Sequence, residues 1–484
     1  MNMDEFEDRL NALRSRFIEL KAGRPCWSST SPKPAKKLLP TDPSGCARSS
    51  LNSNCAPSGI GPRAPRDAVR EPLMSVTTTP LSRRRAMITG LAGAATLMTS
   101  APTRALALDA TLAARLNETI DRALADRKIV GTVVTVVRSG DVAYRRAAGY
   151  ADREAGRPMR ADALFRLASL SKTIVSAAAL ALVEQGRLAV TDPVTRWLPD
   201  FTPKTRDGQL PILTIHHLLT HTAGLSYGFY EPEDGPYHQA GVSDGLDLSG
   251  LSLDEEVRRI AAAGLAETPG TRWRYSIASD VLGAVIARAA GEPLPSAVRR
   301  LVTTPLGMAD TSFSVTDPTR LAVPYADAQP APVRMGEPQL VSFRGLGLMR
   351  FSPSRVLDPA QFPSGGAGMV GSAADLVRFL EALRTGGGPI LRPATAGGMT
   401  TNRIGTLPLL AMPGWGFGYG CTTLEDRATA KSPQSVGTWA FTSAYGHSYF
   451  VDPERQLSVI ALTNTALEGG FGAFVLAIRK AVYG

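Results

Sequence analysis

Cysteine is scarce in this chain of 484 residues, and its placement excludes a disulfide framework for most of the sequence. Cys26, Cys46 and Cys55 precede residue 74, and only Cys421 follows it. A single cysteine cannot form an internal disulfide, and no two cysteines are spaced as Cys-x-x-Cys, the pair typical of structural zinc sites. The sequence therefore predicts a domain stabilised by its hydrophobic core, and it indicates neither a metal nor a cofactor.

An excess of positive charge is absent from most of the chain. The formal net charge is +10, but residues 1–107 carry 16 Lys and Arg against 8 Asp and Glu, whereas residues 108–484 carry 37 against 35. Nucleic-acid-binding domains present a basic surface, which the larger part does not have in its composition. We therefore expect no nucleic-acid partner, and the sequence indicates no protein partner.

The chain also lacks a long hydrophobic run. The stretch from Ala86 to Thr99 is only weakly apolar and too short for a stable membrane anchor. It follows a twin-arginine-like start, Ser82-Arg83-Arg84-Arg85-Ala86-Met87, and precedes a small-x-small cleavage site, Ala105-Leu106-Ala107. This order is typical of an export signal. It predicts an extension or mis-assigned start over 1–73, a signal over 74–107, and a periplasmic or secreted domain over 108–484, which would stay cytoplasmic if unprocessed.

The motif Ser169-Leu170-Ser171-Lys172 stands where a turn leads into a long apolar segment. A serine and a lysine three residues apart share one face of a helix. At a helix start, free backbone N–H groups favour a developing oxyanion, and a buried lysine of lowered pKa can accept the serine proton. These residues predict a serine nucleophile, Ser169, with Lys172 as its base.

Two later segments complete an ordered series. Tyr275 lies in a segment that opens a second apolar helix, and it could act as a general base if neighbouring cations lowered its pKa enough to form the phenolate. The segment from Gly437 to His447 reads as a strand and turn near the end of the chain. A strand there could direct a backbone N–H at a substrate carbonyl.

This series resembles the class C β-lactamase-like serine hydrolase superfamily, and within it the family VIII carboxylesterases. The resemblance extends from about Leu108 to Gly484 and includes segments between the motifs. Those segments are Ala151 to Arg160, Thr214 to Thr222, Pro363 to Met369 and Tyr445 to Asp452. It implies hydrolysis of short-chain acyl esters through a Ser169 acyl-enzyme, with Lys172 and Tyr275 sharing the base role.

The resemblance also implies the remaining site residues. The oxyanion hole would consist of the backbone N–H groups of Ser169 and Ala444. The side chains expected to contact substrate are Phe441, Thr442, Ser443, Ile277, Tyr227 and His447. Tyr227 adjoins one of two long Gly- and Pro-rich segments, 228–253 and 325–363, which are expected to form lid-like loops.

Two departures from the β-lactamase pattern argue against efficient lactam hydrolysis. Ile277 stands where β-lactamases have the Asn of Tyr-x-Asn, and an apolar side chain cannot donate an amide hydrogen bond. Phe441-Thr442-Ser443 stands where they have Lys-Thr-Gly and where related esterases often have Trp-Gly-Gly. No lysine is present there to bind a substrate carboxylate, and side chains replace the two glycines.

Hydrophobic periodicity predicts an α+β fold, and the resemblance implies that this fold is of the serine β-lactamase and penicillin-binding-protein type. An antiparallel sheet built from both chain ends is flanked by helices, with a mostly helical region inserted at roughly 166–371. Predicted strands are Val130 to Val137, Val142 to Ala148, Trp415 to Thr423, Gly437 to Val451 and Leu457 to Thr463. Predicted helices include Leu108 to Lys128, Asp254 to Ala263, Ser279 to Ala290, Ala373 to Thr385 and Phe471 to Val482.

Other motifs and other functions compete with this interpretation. Ser226 lies in a Gly-x-Ser-x-Gly sequence, but no strand precedes it and no helix follows it, as a nucleophile elbow requires. His217 and His221 have zinc-ligand spacing without the glutamate of a metalloprotease. The alternatives that remain are a β-lactamase or D-amino peptidase, an acyltransferase, and a non-catalytic penicillin-recognising protein.

Overall fold

The computed structural model describes residues 101–484 except 344–346 and 410, and for residues 101–109 it describes the backbone only. The predicted extension and nearly all of the predicted signal lie outside this range. The first helix begins at Ala101, within the predicted signal, and not at Leu108. No helix of the described part is long and apolar enough to cross a membrane.

The described residues form fourteen strands. In chain order they are β1 Gly131–Arg138, β2 Asp141–Asp152, β3 Arg157–Pro158, β4 Leu164–Arg166, β5 Tyr325–Ala326, β6 Val333–Arg334, β7 Gln339–Phe343, β8 Gly347–Phe351, β9 Val370–Ser372, β10 Trp415–Phe417, β11 Thr422–Leu424, β12 Trp439–Ser443, β13 His447–Asp452 and β14 Leu457–Thr463.

The α-helices occur in groups between runs of these strands, and short 3-10 turns join several elements. In chain order the helices are α1 Ala101–Ala125, α2 Ser171–Glu184, α3 Ile215–Leu219, α4 Pro236–Gln239, α5 Leu253–Ala263, α6 Ala278–Ala290, α7 Leu294–Val298, α8 Ala373–Arg384, α9 Pro393–Met399, α10 Glu468–Phe471 and α11 Ala473–Tyr483.

The main sheet joins the two ends of the described chain. Its eight strands run in the order β10-β11-β12-β13-β14-β1-β2-β3, and β1 pairs with β14 in antiparallel register, with Val134 opposite Ala461. Both strands consist largely of β-branched and aliphatic residues, which favour a sheet buried on both faces. This topology confirms the predicted antiparallel sheet built from both chain ends.

The two faces of this sheet bury different partners because successive side chains point to opposite sides. Val134 and Val136 share one hydrophobic cluster with residues of α1 and α11, among them Leu116 and Ile478. Val133 faces the larger cluster, which includes α2, α6 and α8. The terminal helices therefore cover one face, and the inserted region covers the other.

The inserted region extends from β4 to β9, which pair with each other as a small antiparallel sheet. It is mostly helical, as predicted, and α2 packs against α6 at its centre. The two segments expected to be lid-like loops are partly regular: they contain α4 and the hairpin β7–β8. That hairpin packs on the 3-10 turn Gly228–Tyr230, where Phe343 and Phe229 have ring centroids 5.5 Å apart.

Two predicted strands are hairpins in the structure. The segment 415–423 divides into β10 and β11 at Gly420, and the segment 437–451 divides into β12 and β13 at Gly446. Both glycines adopt positive φ, +87° and +95°, which turns the chain back on itself at a conformation that other residues rarely adopt. These turns bring β12 beside the 3-10 turn Ala168–Leu170.

We predict that Gly446→Ala destabilises the protein more than Gly437→Ala. Both glycines have positive φ, so alanine costs about 1–2 kcal/mol at either position. At Gly446 a Cβ would also lie 2.0 Å from the carbonyl oxygen of Thr465, whereas nothing lies within 4 Å of a Cβ at Gly437. Overpacking should add ~1–3 kcal/mol at Gly446. Urea unfolding of both variants measures the difference, and equal losses would contradict the assigned turn.

Candidate active site

The serine of the Ser-x-x-Lys motif lies in a 3-10 turn, Ala168–Leu170, and α2 begins two residues later at Ser171. Ala168 has φ +43°, a conformation that costs a non-glycine residue about 1–3 kcal/mol. Contacts on either side hold this turn: the Leu167 N–H donates to the Met369 carbonyl at 2.8 Å, and Ser443 Oγ donates to the Leu167 carbonyl at 2.8 Å. Ser169 is thus held at a strained turn, partly exposed.

Three predicted side chains meet at this turn. The Tyr275 hydroxyl donates to Ser169 Oγ at 2.7 Å, and Lys172 Nζ lies 3.5 Å from the same oxygen. Lys172 Nζ also donates to the Gly366 carbonyl oxygen at 2.7 Å. The chain thereby brings together a serine from the 3-10 turn, a lysine from α2 and a tyrosine from the segment before α6, which are the three side chains of the predicted series.

Lys172 is a buried amine. Its side chain is 1% exposed, and desolvation lowers its pKa to about 7, against the opposing effects of the Asp280 and Asp244 carboxylates. Its Nζ lies 4.8 Å from the ring centroid of Tyr275 and 5.5 Å from that of Tyr227. An amine of this pKa is substantially neutral near pH 7, and a neutral amine can accept a proton.

Tyr275 has the opposite electrostatic character. Burial raises its pKa above that of a free tyrosine, and the hydrogen bond to Ser169 offsets only part of this effect. The phenolate that the sequence suggested requires a lowered pKa, so this part of the expectation is wrong for the resting enzyme. The protonated hydroxyl serves as a hydrogen-bond donor to the serine oxygen.

Aromatic rings surround Tyr275. The ring centroids of Tyr227 and Phe441 lie 5.4 and 6.1 Å from its own. His221 lies 4.9 Å away, and Ser276 N–H donates to its Nδ1 at 3.3 Å. These contacts fix the orientation of the tyrosine through packing and leave its hydroxyl directed at Ser169.

The two N–H groups expected to form the oxyanion hole have open hydrogen-bonding capacity. Within the described part of the chain, neither the Ser169 N–H nor the Ala444 N–H donates a hydrogen bond to another protein group. Ala444 directly follows β12, whose last residue, Ser443, is bonded to the turn before Ser169. Their role as the oxyanion hole stays a prediction.

The residues expected to contact substrate divide into two groups. Thr442 is partly exposed on β12, and Phe441 and Tyr227 pack around Tyr275 as described above. Ser443 and Ile277 are both fully buried, the first bonded to Leu167 and the second at the start of α6 with its N–H donating to Ser226. Their buried side chains have a structural role, so the expectation that they contact substrate is corrected.

His447 is also structural. It is 1% exposed, its Nε2 donates to the Arg166 carbonyl at 2.8 Å, and its ring packs edge-on against Phe165 with centroids 5.5 Å apart. The expectation that it contacts substrate is therefore corrected: His447 joins β13 to β4. Burial lowers its pKa to about 4, which keeps the ring neutral.

The competing motifs have local structural partners. The Ser226 N–H donates to the Tyr237 hydroxyl at 2.8 Å, and its own side chain is fully buried. His217 forms a capping box with Thr214 at the start of α3. These contacts give Ser226 and His217 structural roles, with no need for a catalytic or metal-binding one.

Sequence reasoning missed two positions that the structure places beside Lys172. Asp280 lies in the first turn of α6, fully buried, and Gly366 supplies the carbonyl that binds the amine. A Cβ on Gly366 would lie 2.5 Å from Asp280 Oδ2 and 3.4 Å from Lys172 Nζ. The available signal was a carboxylate on an otherwise apolar helix, five residues after Tyr275.

Comparisons with known proteins show what this chain is similar to. The family model described as Beta-lactamase matches residues 116–480. Esterase EstB of Burkholderia gladioli is 52% identical over 382 residues, which cover 78% of this chain and 97% of EstB. The solved structure of EstCE1, described as a hydrolase with promiscuous acyltransferase activity, is 46% identical, with TM-score 0.76, 78% of this chain covered and 99% of EstCE1.

A more distant solved structure shares the fold alone. Simvastatin synthase from Aspergillus terreus, in its unliganded form, is 21% identical, with a TM-score of 0.57. The match covers 77% of this chain and 98% of the synthase. The α+β architecture is thus common to proteins whose sequences have diverged widely.

We predict that His447→Gln weakens the dependence of stability on pH below 6.5. The folded protein binds the His447 proton with a pKa of about 4, against 6.5 for an ordinary histidine. The unfolded chain therefore takes up more protons between these values, and wild-type stability falls by up to about 3 kcal/mol as the pH drops from 6.5 through 4.

Urea unfolding at pH 7 and pH 5 measures this change in both proteins. The variant should lose less stability than wild type between these two values. His238→Gln is the matched control, since that side chain is exposed. Parallel losses in wild type and His447→Gln would contradict the structural role assigned to the ring.

Proposed function

Since this chain belongs to the beta-lactamase family, we propose that it hydrolyses short-chain carboxylic esters through an acyl-enzyme on Ser169. It is a carboxylesterase-type serine hydrolase, as its similarity to EstB and EstCE1 supports. The observation that carries the proposal is the meeting of a tyrosine hydroxyl and a near-neutral lysine at one serine oxygen.

In the first half of the reaction, Ser169 Oγ attacks the ester carbonyl carbon while Lys172 Nζ accepts the serine proton. The Tyr275 hydroxyl, which donates to Oγ in the resting state, orients the nucleophile. The N–H groups of Ser169 and Ala444 are suited to hold the oxyanion of the tetrahedral intermediate. The alcohol then leaves with a proton supplied by the Lys172–Tyr275 pair.

In the second half, water attacks the acyl carbon of Ser169. Lys172, neutral again, accepts a proton from this water as the new C–O bond forms. It then returns that proton to Ser169 Oγ as the bond between the acyl carbon and Oγ breaks and the acid product is released. The ring centroids of Tyr227 and Phe441 lie 5.4 and 6.1 Å from that of Tyr275, so aromatic side chains border the site, which supports a small acyl group.

Ester hydrolysis is favoured over lactam hydrolysis by the residues at two positions. Ile277 is apolar and fully buried, so it offers no amide to a lactam side chain. The position of the lactamase lysine on the late strand is Phe441, whose ring packs against Tyr275. A substrate carboxylate therefore meets no cation at either position.

Acyl transfer to an alcohol is a second candidate, supported by the description of EstCE1. The same acyl-enzyme serves both reactions, and only the final acceptor differs. Incubation with vinyl butyrate and benzyl alcohol in water would yield benzyl butyrate if the acceptor competes with water, and butyrate alone if it does not.

We predict that Ser169→Ala abolishes turnover of p-nitrophenyl butyrate, with a loss of at least about 1000-fold in kcat. Wild type should hydrolyse a chromogenic cephalosporin far more slowly than the ester. Ser226→Ala is the matched control, because it changes the other serine motif and should keep ester hydrolysis. Ester turnover retained by Ser169→Ala, or dominant lactam hydrolysis by wild type, would overturn the proposal.

We also predict that kcat/KM for ester hydrolysis falls as the pH drops through about 7. The base must be neutral, and Lys172 gains a proton in that range. Tyr275→Phe removes the donor to Ser169 and should lower kcat by about 100-fold or more. The fall of kcat/KM below about pH 7, the acid limb of the pH profile, should remain in this variant. A pH profile of both proteins tests this division of roles, and loss of the limb in Tyr275→Phe would assign the titration to the tyrosine instead.

A further inference from the structure

A buried carboxylate faces the buried amine across one backbone segment. Asp280 and Lys172 are 0% and 1% exposed, on α6 and α2 respectively. Gly366 separates them: its carbonyl accepts from Lys172 Nζ at 2.7 Å, and the space where its side chain would stand is bordered by Asp280 Oδ2 and by Nζ. A side chain on any residue other than glycine would displace the Asp280 carboxyl group or the Lys172 amine.

The distance between the two groups is long for an ion pair. Within the described part of the chain, Lys172 forms no salt bridge at 4.0 Å or less. A direct pair would hold the amine permanently charged, which is unsuitable for a base. An amine with no carboxylate nearby would resist protonation in a buried site. The intermediate separation allows both states.

We propose that Asp280 is a positioning residue that stabilises the ammonium form of Lys172 across Gly366, so that the amine can accept the Ser169 proton during acylation. The inference rests on the proposed function, since it concerns the base of that reaction. The proton moves from Ser169 Oγ to Nζ as Oγ bonds to the acyl carbon, and the new cation remains opposite the Asp280 carboxylate. Asp280 touches neither substrate nor the reacting atoms.

Other charged and titratable groups share this region and act on the pair. The groups that interact electrostatically with Asp280 are Lys172, Tyr227, Asp244, Glu256, Tyr275 and Arg355. Asp247 in turn shifts the pKa values of Asp244, Glu256 and Arg355. Burial raises the pKa of Asp280, while Ser364 and the Gly366 N–H oppose that rise. Asp280 and Lys172 therefore titrate as a coupled pair, in which ionisation of each favours the charged form of the other.

Asp280→Asn tests this role because asparagine keeps the shape and removes the negative charge. We expect the acid limb of the pH profile to move down by at least about one pH unit, because loss of a nearby carboxylate favours the neutral amine. We expect kcat for p-nitrophenyl butyrate to fall roughly tenfold or more, with KM little changed. The readout besides turnover is the pH dependence of Ser169 inactivation by a p-nitrophenyl alkylphosphonate.

Glu256→Gln is the matched control for removal of a buried acid. Burial raises the pKa of Glu256 to about 9, so its side chain is already neutral at the pH of the acid limb. This variant should keep the wild-type limb. An unmoved limb in Asp280→Asn, or an equal shift in Glu256→Gln, would overturn the proposal.

Two further variants keep the test decisive. If Asp280→Asn does not fold, Ser364→Ala replaces it: loss of the hydroxyl that faces Asp280 weakens the charged carboxylate, and the limb should move the same way by a smaller amount. Ser169→Ala distinguishes the two claims. Activity retained in that variant defeats the proposed function, whereas an inactive Ser169→Ala with an unmoved limb in the Asp280 or Ser364 variant defeats only this inference.

Discussion

The burial of one lysine amine is the constraint on which the rest of the site depends. An ammonium group loses strong hydration when it is removed from water, and this loss favours its neutral form. Lys172 is buried by packing of α2 against α6 and against the backbone at Gly366, and its pKa falls to about 7. The same burial acts in the opposite direction on Tyr275, whose charged form is the phenolate. One environment thus produces a base and a hydrogen-bond donor from two groups that are both protonated in water at pH 7.

The fold creates this environment because glycine backbones approach side chains closely at two positions. Gly366 admits both the amine and the Asp280 carboxylate, and at Gly420 a Cβ would lie 2.4 Å from Ser176 Oγ and 3.2 Å from the Lys172 carbonyl oxygen. Strand β12 then anchors the turn that carries Ser169, through the bond from Ser443 to Leu167. The main sheet, the inserted helices and the nucleophile turn therefore converge on one buried amine.

The sequence predicted the architecture better than the electrostatics, and the reason is physical. Strands β1 and β14 are runs of β-branched and aliphatic residues, and the helix α6, predicted to begin at Ser279, begins at Ala278. Such local patterns can be recognised in the sequence without knowledge of tertiary contacts. The turn at Gly420 was missed because a glycine within an apolar segment does not reveal its φ angle.

The site residues divide in the same way. Ser169, Lys172 and Tyr275 could be identified from residue type and order along the chain. The protonated state of Tyr275 could not, because it depends on burial by rings from distant segments. The contact of Lys172 with Gly366 joins residues 194 positions apart. The sequence predicted that His447 contacts substrate, but its ring donates a hydrogen bond to the Arg166 carbonyl of β4. This contact depends on the tertiary arrangement of β13 and β4.

The most direct test of this account is an NMR titration of Lys172 in the resting protein labelled with ε-13C-lysine. Lys172→Met identifies the signal by its disappearance. The account predicts a titration centred near pH 7 for Lys172, well below the value of about 10.4 for an ordinary lysine. A Lys172 signal that stays in the ammonium form up to pH 10 would contradict it, because a permanently charged amine cannot accept the Ser169 proton.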